Sequence, residues 1–242
     1  MDGKAMELAA NLAAVREAMA AACRRSGRPL ESVRLMAAVK TVPPEMIRAA
    51  VLAGVRLLGD NRIQEREAKR AALADLDAEW HFIGPLQSNK AAKAVALFRS
   101  VDSLDRPALA ERLNRLAAAA GRVLPVMMEV NIAAEPQKSG VPPAEAERLA
   151  AAVAALPALR LTGCMAVPPA AHSAEQTPEA ARRWFAAMRQ LGERLRAYAQ
   201  GGRWELSMGM SEDFAVAIEE GATIIRLGRA LFGPRPAPPA VE

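Results

Sequence analysis

The sequence predicts an α/β fold, a single (β/α)8 barrel of the TIM type with an extra helix at its N-terminus. Three observations carry that expectation. Eight short apolar runs alternate with helical patterns along the chain, which argues for a parallel sheet. The 242 residues match the length of such a barrel, about 250. No glycine-rich G-x-G-x-x-G turn follows the first run. The doubly wound open sheet, the alternative for this alternation, is therefore the poorer fit.

In order, residues 4–25 carry alanine and other apolar positions at helical spacing, the added helix, placed to cover the barrel where the last strand has no long helix after it. The first strand is 35–40, an apolar run closed by Lys40 and ended by Thr41-Val42-Pro43-Pro44, whose prolines open the next helix. Strands follow at 55–59, 80–84, 98–101, 124–131, 159–166, 204–207 and 223–227. Between them run helical patterns near 44–53, 61–77, 87–96, 105–120, 142–155, 178–199 and 211–220. The stretch 168–178 reads as a long exposed loop. Nothing in the pattern splits the chain, so residues 1–233 form one barrel domain and the proline-rich 234–242 a disordered tail.

Composition excludes several classes. Hydrophobic residues are 52% and charged residues 24%, as in ordinary globular proteins. The net charge of +5 raises nucleic acid as a partner, but the basic residues are interspersed with acids, as in Arg62-Ile63-Gln64-Glu65-Arg66-Glu67, and no nucleic-acid binding is expected. No apolar stretch reaches the roughly 18 residues of a membrane span, and the N-terminus lacks the pattern of a signal peptide. Cys23 and Cys164 have no metal-ligand spacing and form no disulfide framework. A reducing cytoplasm, and a monomer, are the expectation.

The ends of barrel strands carry chemistry. Lys40 ends the first strand, where a partly desolvated lysine can act as a neutral amine and form a Schiff base; the bland alternative is a lysine that snorkels to water. Gly228 follows the eighth strand and leads into Arg229-Ala230-Leu231-Phe232, the place of the common barrel phosphate site. Ser207 ends the seventh strand, with Gly209 and Ser211 close behind; taken singly, these glycines could be turn residues and Ser211 a helix cap. Arg226 interrupts an apolar strand and needs a partner, either a carboxylate such as Glu129 or a ligand atom. A reactive lysine, a phosphate cradle and an inward arginine together suit pyridoxal 5′-phosphate, with the arginine meeting the pyridine nitrogen. His81, between Trp80 and Phe82, reads as a hydrogen-bonded core histidine. Lys138, in the loop after the fifth strand, reads as a solvated lysine or as a second contact for cofactor entering or leaving.

These residues lie in longer blocks: Ala37-Ala38-Val39-Lys40-Thr41, Leu58-Gly59-Asp60-Asn61-Arg62, Trp80-His81-Phe82-Ile83-Gly84, Lys138-Ser139-Gly140, Leu206-Ser207-Met208-Gly209-Met210-Ser211 and Ile225-Arg226-Leu227-Gly228-Arg229. In these blocks, over roughly 5–233, the chain resembles the pyridoxal phosphate homeostasis protein family. The resemblance implies a barrel of the alanine racemase N-terminal type that binds pyridoxal 5′-phosphate as a Schiff base on Lys40. It implies Arg226 beside the pyridine nitrogen, Asn61 near the ring, and Ser207, Gly228 and the next residue on the phosphate. The family usually has serine or threonine after that glycine, where this chain has Arg229, so the hydroxyl contact is missing.

Two functions then compete. One is a protein that stores, buffers or delivers the cofactor, with apo-enzymes that need it as partners. The other is a racemase or decarboxylase of the barrel type. A racemase needs a second acid/base opposite the lysine, which in the barrel-type racemase is a tyrosine from an extra domain. The single tyrosine here, Tyr198, reads as a packing residue. An arginine at the pyridine nitrogen leaves it unprotonated and the electron sink weak. Binding without appreciable turnover is the expectation.

Overall fold

The computed structural model describes residues 3–167 and 177–234. Eight parallel strands close into a barrel in sequence order: β1 (Arg34–Ala38), β2 (Leu57–Asp60), β3 (Glu79–Phe82), β4 (Ser100–Leu104), β5 (Leu124–Val130), β6 (Leu159–Ala166), β7 (Glu205–Ser207) and β8 (Ile224–Leu227). β1 pairs with both β2 and β8, and Met36 stands opposite Arg226 across the closing pair. The helices between them are α2 (Pro44–Leu52), α3 (Ile63–Lys69), α4 (Ala91–Leu97), α5 (Pro107–Ala119), α6 (Ala146–Ala154), α7 (Arg182–Leu195) and α8 (Phe214–Glu219). A long α1 (Gly3–Arg25) precedes the barrel, and a single turn, α9 (Arg229–Phe232), follows it.

Side chains alternate across each strand, so the chain builds two apolar regions. Met36, Leu57, Met127 and Ile224, with Ile83 against them, fill the inside of the barrel. Their strand neighbours Ala37, Leu58, Val126, Met128 and Ile225 face outward into the larger core beneath the helices. Each helix offers that core a stripe at its own period, as in Leu109, Ala110, Leu113 and Ala117 of α5. α1 buries Leu8, Leu12, Val15 and Met19 and packs on α2, α8 and α9. It therefore closes the outer ring where β8 is followed only by α9. Burial of each such side chain contributes about 1.5–3 kcal/mol.

Every strand and helix that the periodicity predicts is present; the differences are in the ends. β2 starts at Leu57 rather than 55, because Val55 still packs beneath α2 after the turn at Gly54. β4 lies two to three residues later than its apolar run, because Phe98 caps α4 and packs edge-to-face on Phe82. The polar Asp102 and Ser103 continue the strand instead, fully buried. Lys40 lies two residues beyond Ala38, so it heads a loop rather than ending a strand. Residues 168–176 of the expected loop and 235–242 of the expected tail lie outside the described residues. Cys23 and Cys164 are buried free thiols, and burial raises both pKa values.

One glycine is demanded by the closure itself. A Cβ on Gly163 of β6 would collide with the Glu205 carbonyl group of β7, a backbone obstacle that cannot rotate aside. Gly163→Ala is expected to destabilise the protein by about 2–3 kcal/mol. The check is the urea unfolding midpoint, and an unchanged midpoint would show that the strands can spread at no cost.

Candidate functional site

The C-terminal ends of the strands gather the polar residues. Along the inward side, the positions that follow the apolar layer carry Glu129 on β5, Ser207 on β7 and Arg226 on β8. A cavity of about 430 Å³ opens at this mouth. Lys40 and Thr41 line it from the first loop, Gly228 and Arg229 from the last, and Lys4 and Asn11 of α1 form its outer wall. Lys40 and Gly228 thus share one cavity, though 188 positions separate them in the sequence.

The backbone around Lys40 is clamped from α3. Lys69 Nζ donates to the Val39 carbonyl at 3.0 Å, and the Thr41 N–H donates to Glu65 Oε2 at 2.8 Å. Lys69 and Glu65 are themselves paired at 3.3 Å, one helical turn apart. The residues on both sides of Lys40 are held by one ion pair. Thr41 has φ = 59°, a left-handed conformation that costs a non-glycine residue about 1 kcal/mol or more. The hydrogen bond from its N–H helps to pay for it. Asp60, at the end of β2, lies 3.8 Å from Lys69 and accepts from the Arg62 N–H at 3.1 Å. Burial pushes its carboxyl up, while the Arg62 N–H and Lys69 pull the other way.

Asn61 follows Asp60, and its Oδ1 is buried without a hydrogen-bond partner. It is pressed into place by Gly84 after β3, where a Cβ would come within 2.5 Å of the Asn61 carbonyl oxygen. Glu129 Oε2 is buried without a partner as well. Burial first, and Asp105 second, raise the Glu129 carboxyl to about 7; Arg226 acts against both. Unsatisfied buried oxygens are costly, and two at one barrel mouth fit a ligand that offers donors.

Arg226 is 5% exposed. It donates from Nη1 to Ser207 Oγ at 2.8 Å and from Nη2 to the Ala166 carbonyl at 2.8 Å. Its hydrogen-bonded partners are therefore a serine and a backbone carbonyl. Glu129 contributes through charge, among the carboxylates that oppose the lowering of the Arg226 pKa by burial. Ser207 is fully buried and its hydroxyl oxygen accepts from Arg226, so the structure places it as a support for the arginine first. The two bonds leave further N–H groups of the guanidinium for a ligand.

Gly228 precedes α9, and the space where its side chain would lie meets nothing closer than the Ala38 carbonyl at 3.5 Å. The backbone there is open to a close-approaching group. Ser211 Oγ accepts from the Ala230 N–H at 3.1 Å, so the loop after β7 is tied to the turn after β8. The Arg229 guanidinium is paired with Glu212 at 2.6 Å, on an exposed edge. What its position offers the cavity is the backbone N–H, not the side chain.

The loop after β5 returns to its own strand: Val141 N–H donates to the Glu129 carbonyl at 2.8 Å, and Asn131 Nδ2 to the Glu135 carbonyl at 2.7 Å. It carries Lys138, which pairs with Glu135 at 2.8 Å. His81 is buried and bonded to Asp102 at 2.7 Å, as a core histidine should be. Tyr198 packs against the core beneath α7. Sequence reasoning passed over Glu65 and Lys69. Their i, i+4 spacing was visible, but their reach to the Lys40 backbone depends on how α3 packs. Among the described residues no group of histidine, cysteine and carboxylate side chains could hold a metal ion, and no helix is long and apolar enough to cross a membrane.

The sequence matches the family model of the alanine racemase N-terminal domain over residues 10–236. A pyridoxal phosphate homeostasis protein of Pseudomonas aeruginosa is 44% identical over 229 residues, 94% of this chain and 96% of that protein. One from Aquifex aeolicus is 41% identical over 230 residues, 95% and 99% of the two chains. Among solved structures, PipY of Synechococcus elongatus with PLP bound superimposes with a TM-score of 0.79 at 39% identity, covering 93% of this chain and all of that one. A protein of Bifidobacterium adolescentis superimposes with a TM-score of 0.87 at 37% identity, covering 96% of both chains. The D-threonine aldolase of Filomicrobium marinum, at 18% identity and a TM-score of 0.72, shares the fold.

Proposed function

The chain belongs to the pyridoxal phosphate homeostasis protein family, and from that premise we propose that it binds pyridoxal 5′-phosphate through Lys40 and keeps it available for exchange, without steady turnover of a substrate. The observation that carries the reading is the shared cavity: Lys40, fixed at both flanking peptides by Glu65 and Lys69, opens onto the same space as the bare backbone of Gly228. When bound, the cofactor supplies an aldehyde for covalent attachment and an electron-withdrawing ring. Lys40 would hold the aldehyde carbon. The backbone N–H groups of Gly228 and Arg229 would hold the phosphate, since the Ala230 N–H is already taken by Ser211. Arg226, itself fixed by Ser207 and Ala166, would donate to the pyridine nitrogen. Asn61 would lie beside the ring.

The same residues argue against turnover. Arg226 can donate but not accept, so it would leave the pyridine nitrogen unprotonated and the ring a weaker electron sink than a carboxylate partner would. Tyr198 is half-buried against the core, and the sequence has no other tyrosine to act on the face opposite Lys40. Partners of the holoprotein are then apo-enzymes that need the cofactor, and the compartment is the cytoplasm. The test has two arms. Purified holoprotein is expected to restore activity to such an apo-enzyme on mixing. Incubated with each free amino acid, it is expected to give no steady conversion; a rate above about 1 s⁻¹, the low end of ordinary enzymes, would instead make it a catalyst.

A further inference from the structure

The opposite mouth of the barrel holds a second polar cavity, about 380 Å³, at the N-terminal ends of the strands. Such a face ordinarily serves stability, and a cavity there is expected to be lined by apolar or mutually paired groups. This one is not. Arg34, Arg99, Arg160 and Arg203 line it, with His81 inside and the carboxylates Glu79 and Glu205 among them. Arg34 spends its charge on Glu205 at 3.1 Å and Glu79 at 3.6 Å, and Arg203 lies 3.5 Å from Glu205. The side chains of Arg99, before β4, and Arg160, on β6, are exposed on the rim and make no hydrogen bond or close ion pair among the described residues; Arg99 acts on Glu79 only through its field.

His81 makes the floor. Its Nδ1 is bonded to Asp102 Oδ2 at 2.7 Å, and Asp102 Oδ1 accepts from Ser100 Oγ at 2.5 Å, all buried. The aspartate fixes the ring and favours its protonated form. Nε2 then carries a proton that faces the Glu79 carboxylate at 3.7 Å, a charge pair longer than an ordinary hydrogen bond. Burial works to lower the imidazole pKa, but the charge and hydrogen bond of Asp102, with Glu79 assisting and Arg34 opposing, raise it above the ordinary histidine range. The groups facing the ring are thus Glu79 on its own strand, Asp102 and Ser100 on β4, Arg34 on β1 and, across the cavity, Arg160 and Glu205. With the ring protonated, five cations meet three carboxylates, and two guanidinium groups are left over.

We propose that this cavity is a second binding site, for a small phosphate-class dianion, either inorganic phosphate or a phosphate monoester, held between Arg99 and Arg160 over the Nε2–H of His81. Guanidinium forks match phosphate oxygens in geometry, and a buried imidazolium adds a charge-assisted donor that water screens little. The volume suits a ligand of this size with some of its organic part. The proposal does not depend on what Lys40 binds.

The chain has two histidines, His81 and His172, so the imidazole nitrogens can be followed singly by NMR. Addition of inorganic phosphate at constant ionic strength is expected to move the His81 Nε2 resonance with a dissociation constant in the millimolar range or tighter. A phosphate ion that bound only at the Lys40 mouth would not move His81, which keeps the two sites distinct. A parallel titration with phenyl phosphate separates the sources: tighter binding than inorganic phosphate assigns the site to a monoester, weaker binding to the free ion. The exposed double variant Arg99→Ala/Arg160→Ala breaks no hydrogen bond or close ion pair among the described residues, should fold normally, and is expected to weaken the response at least about tenfold. No movement of the His81 resonance, or a response that the double variant retains in full, would overturn the proposal.

Discussion

Lys40→Ala is expected to abolish the visible absorption of the purified protein and the mass gained on borohydride reduction, while thermal stability stays within about 0.5 kcal/mol of the parent. The two outcomes separate because of where the residue lies. The groups that hold this loop are the Val39 carbonyl and the Thr41 N–H, bonded to Lys69 and Glu65, and neither belongs to the Lys40 side chain. Alanine at position 40 keeps both bonds and removes only the amine. Phosphate contacts at Gly228 would remain, so weak non-covalent binding of the cofactor should persist. Lys4 shares the cavity wall and Lys138 stands on the same barrel face, so each is a chemical alternative. If borohydride still fixed the cofactor in the variant, peptide mapping would find it on one of these, and the assignment to Lys40 would be lost.

The strands were legible because each is an apolar run of period two or a continuous buried run, and a closed parallel barrel buries both faces of every strand. The ends were not, for reasons local to each. Asp102 and Ser103 look like a loop, yet they extend β4 because Asp102 has His81 to bond with inside the barrel. Phe98 looks like a strand residue, yet its ring is taken by Phe82 and it caps α4. In the site, Lys40, Gly228 and Arg226 could be read from their places relative to strands one and eight. The partner of Arg226 could not. Serine at 207 and the Ala166 carbonyl reach it only through the β6–β7–β8 register, while the carboxylate named from sequence, Glu129, acts across the mouth through its field. Arg229 was a cation at a phosphate position in the sequence. Glu212, in the loop after β7, is the partner that turns it outward.

The field between Arg226 and Glu129 sets the second large effect. Arg226→Gln is expected to cost about 3–5 kcal/mol in the apo form, because it strands the buried acceptors Ser207 Oγ and Ala166 O and leaves Glu129 without its nearby cation. Glu129 also makes stability depend on pH, with a definite sign. Its folded pKa, about 7, lies above the unfolded value of 4.5. The unfolded chain therefore gives up this proton first as pH rises. Its contribution is fully present below 4.5 and is lost as pH passes through 7, by about 3 kcal/mol at most. Glu129→Gln should flatten this decline, so its stability relative to the parent should be higher at pH 8 than at pH 5. In Arg226→Gln the decline should steepen, since the cation that held the carboxyl down is gone. The double variant Arg226→Gln/Glu129→Gln removes both charges and should be less destabilised at pH 8 than the two single losses combined, by about 1 kcal/mol or more. Urea unfolding of the four apo proteins at steps from pH 4 to pH 10 reads all of this. Strict additivity at pH 8 would mean that the two charges do not sense each other. Arg226 would then be held by its hydrogen bonds alone, and the pH dependence would have to come from another buried group such as His81. His81 predicts loss of stability at higher pH, as its proton leaves near 9, so the position of the decline on the pH axis tells the two apart.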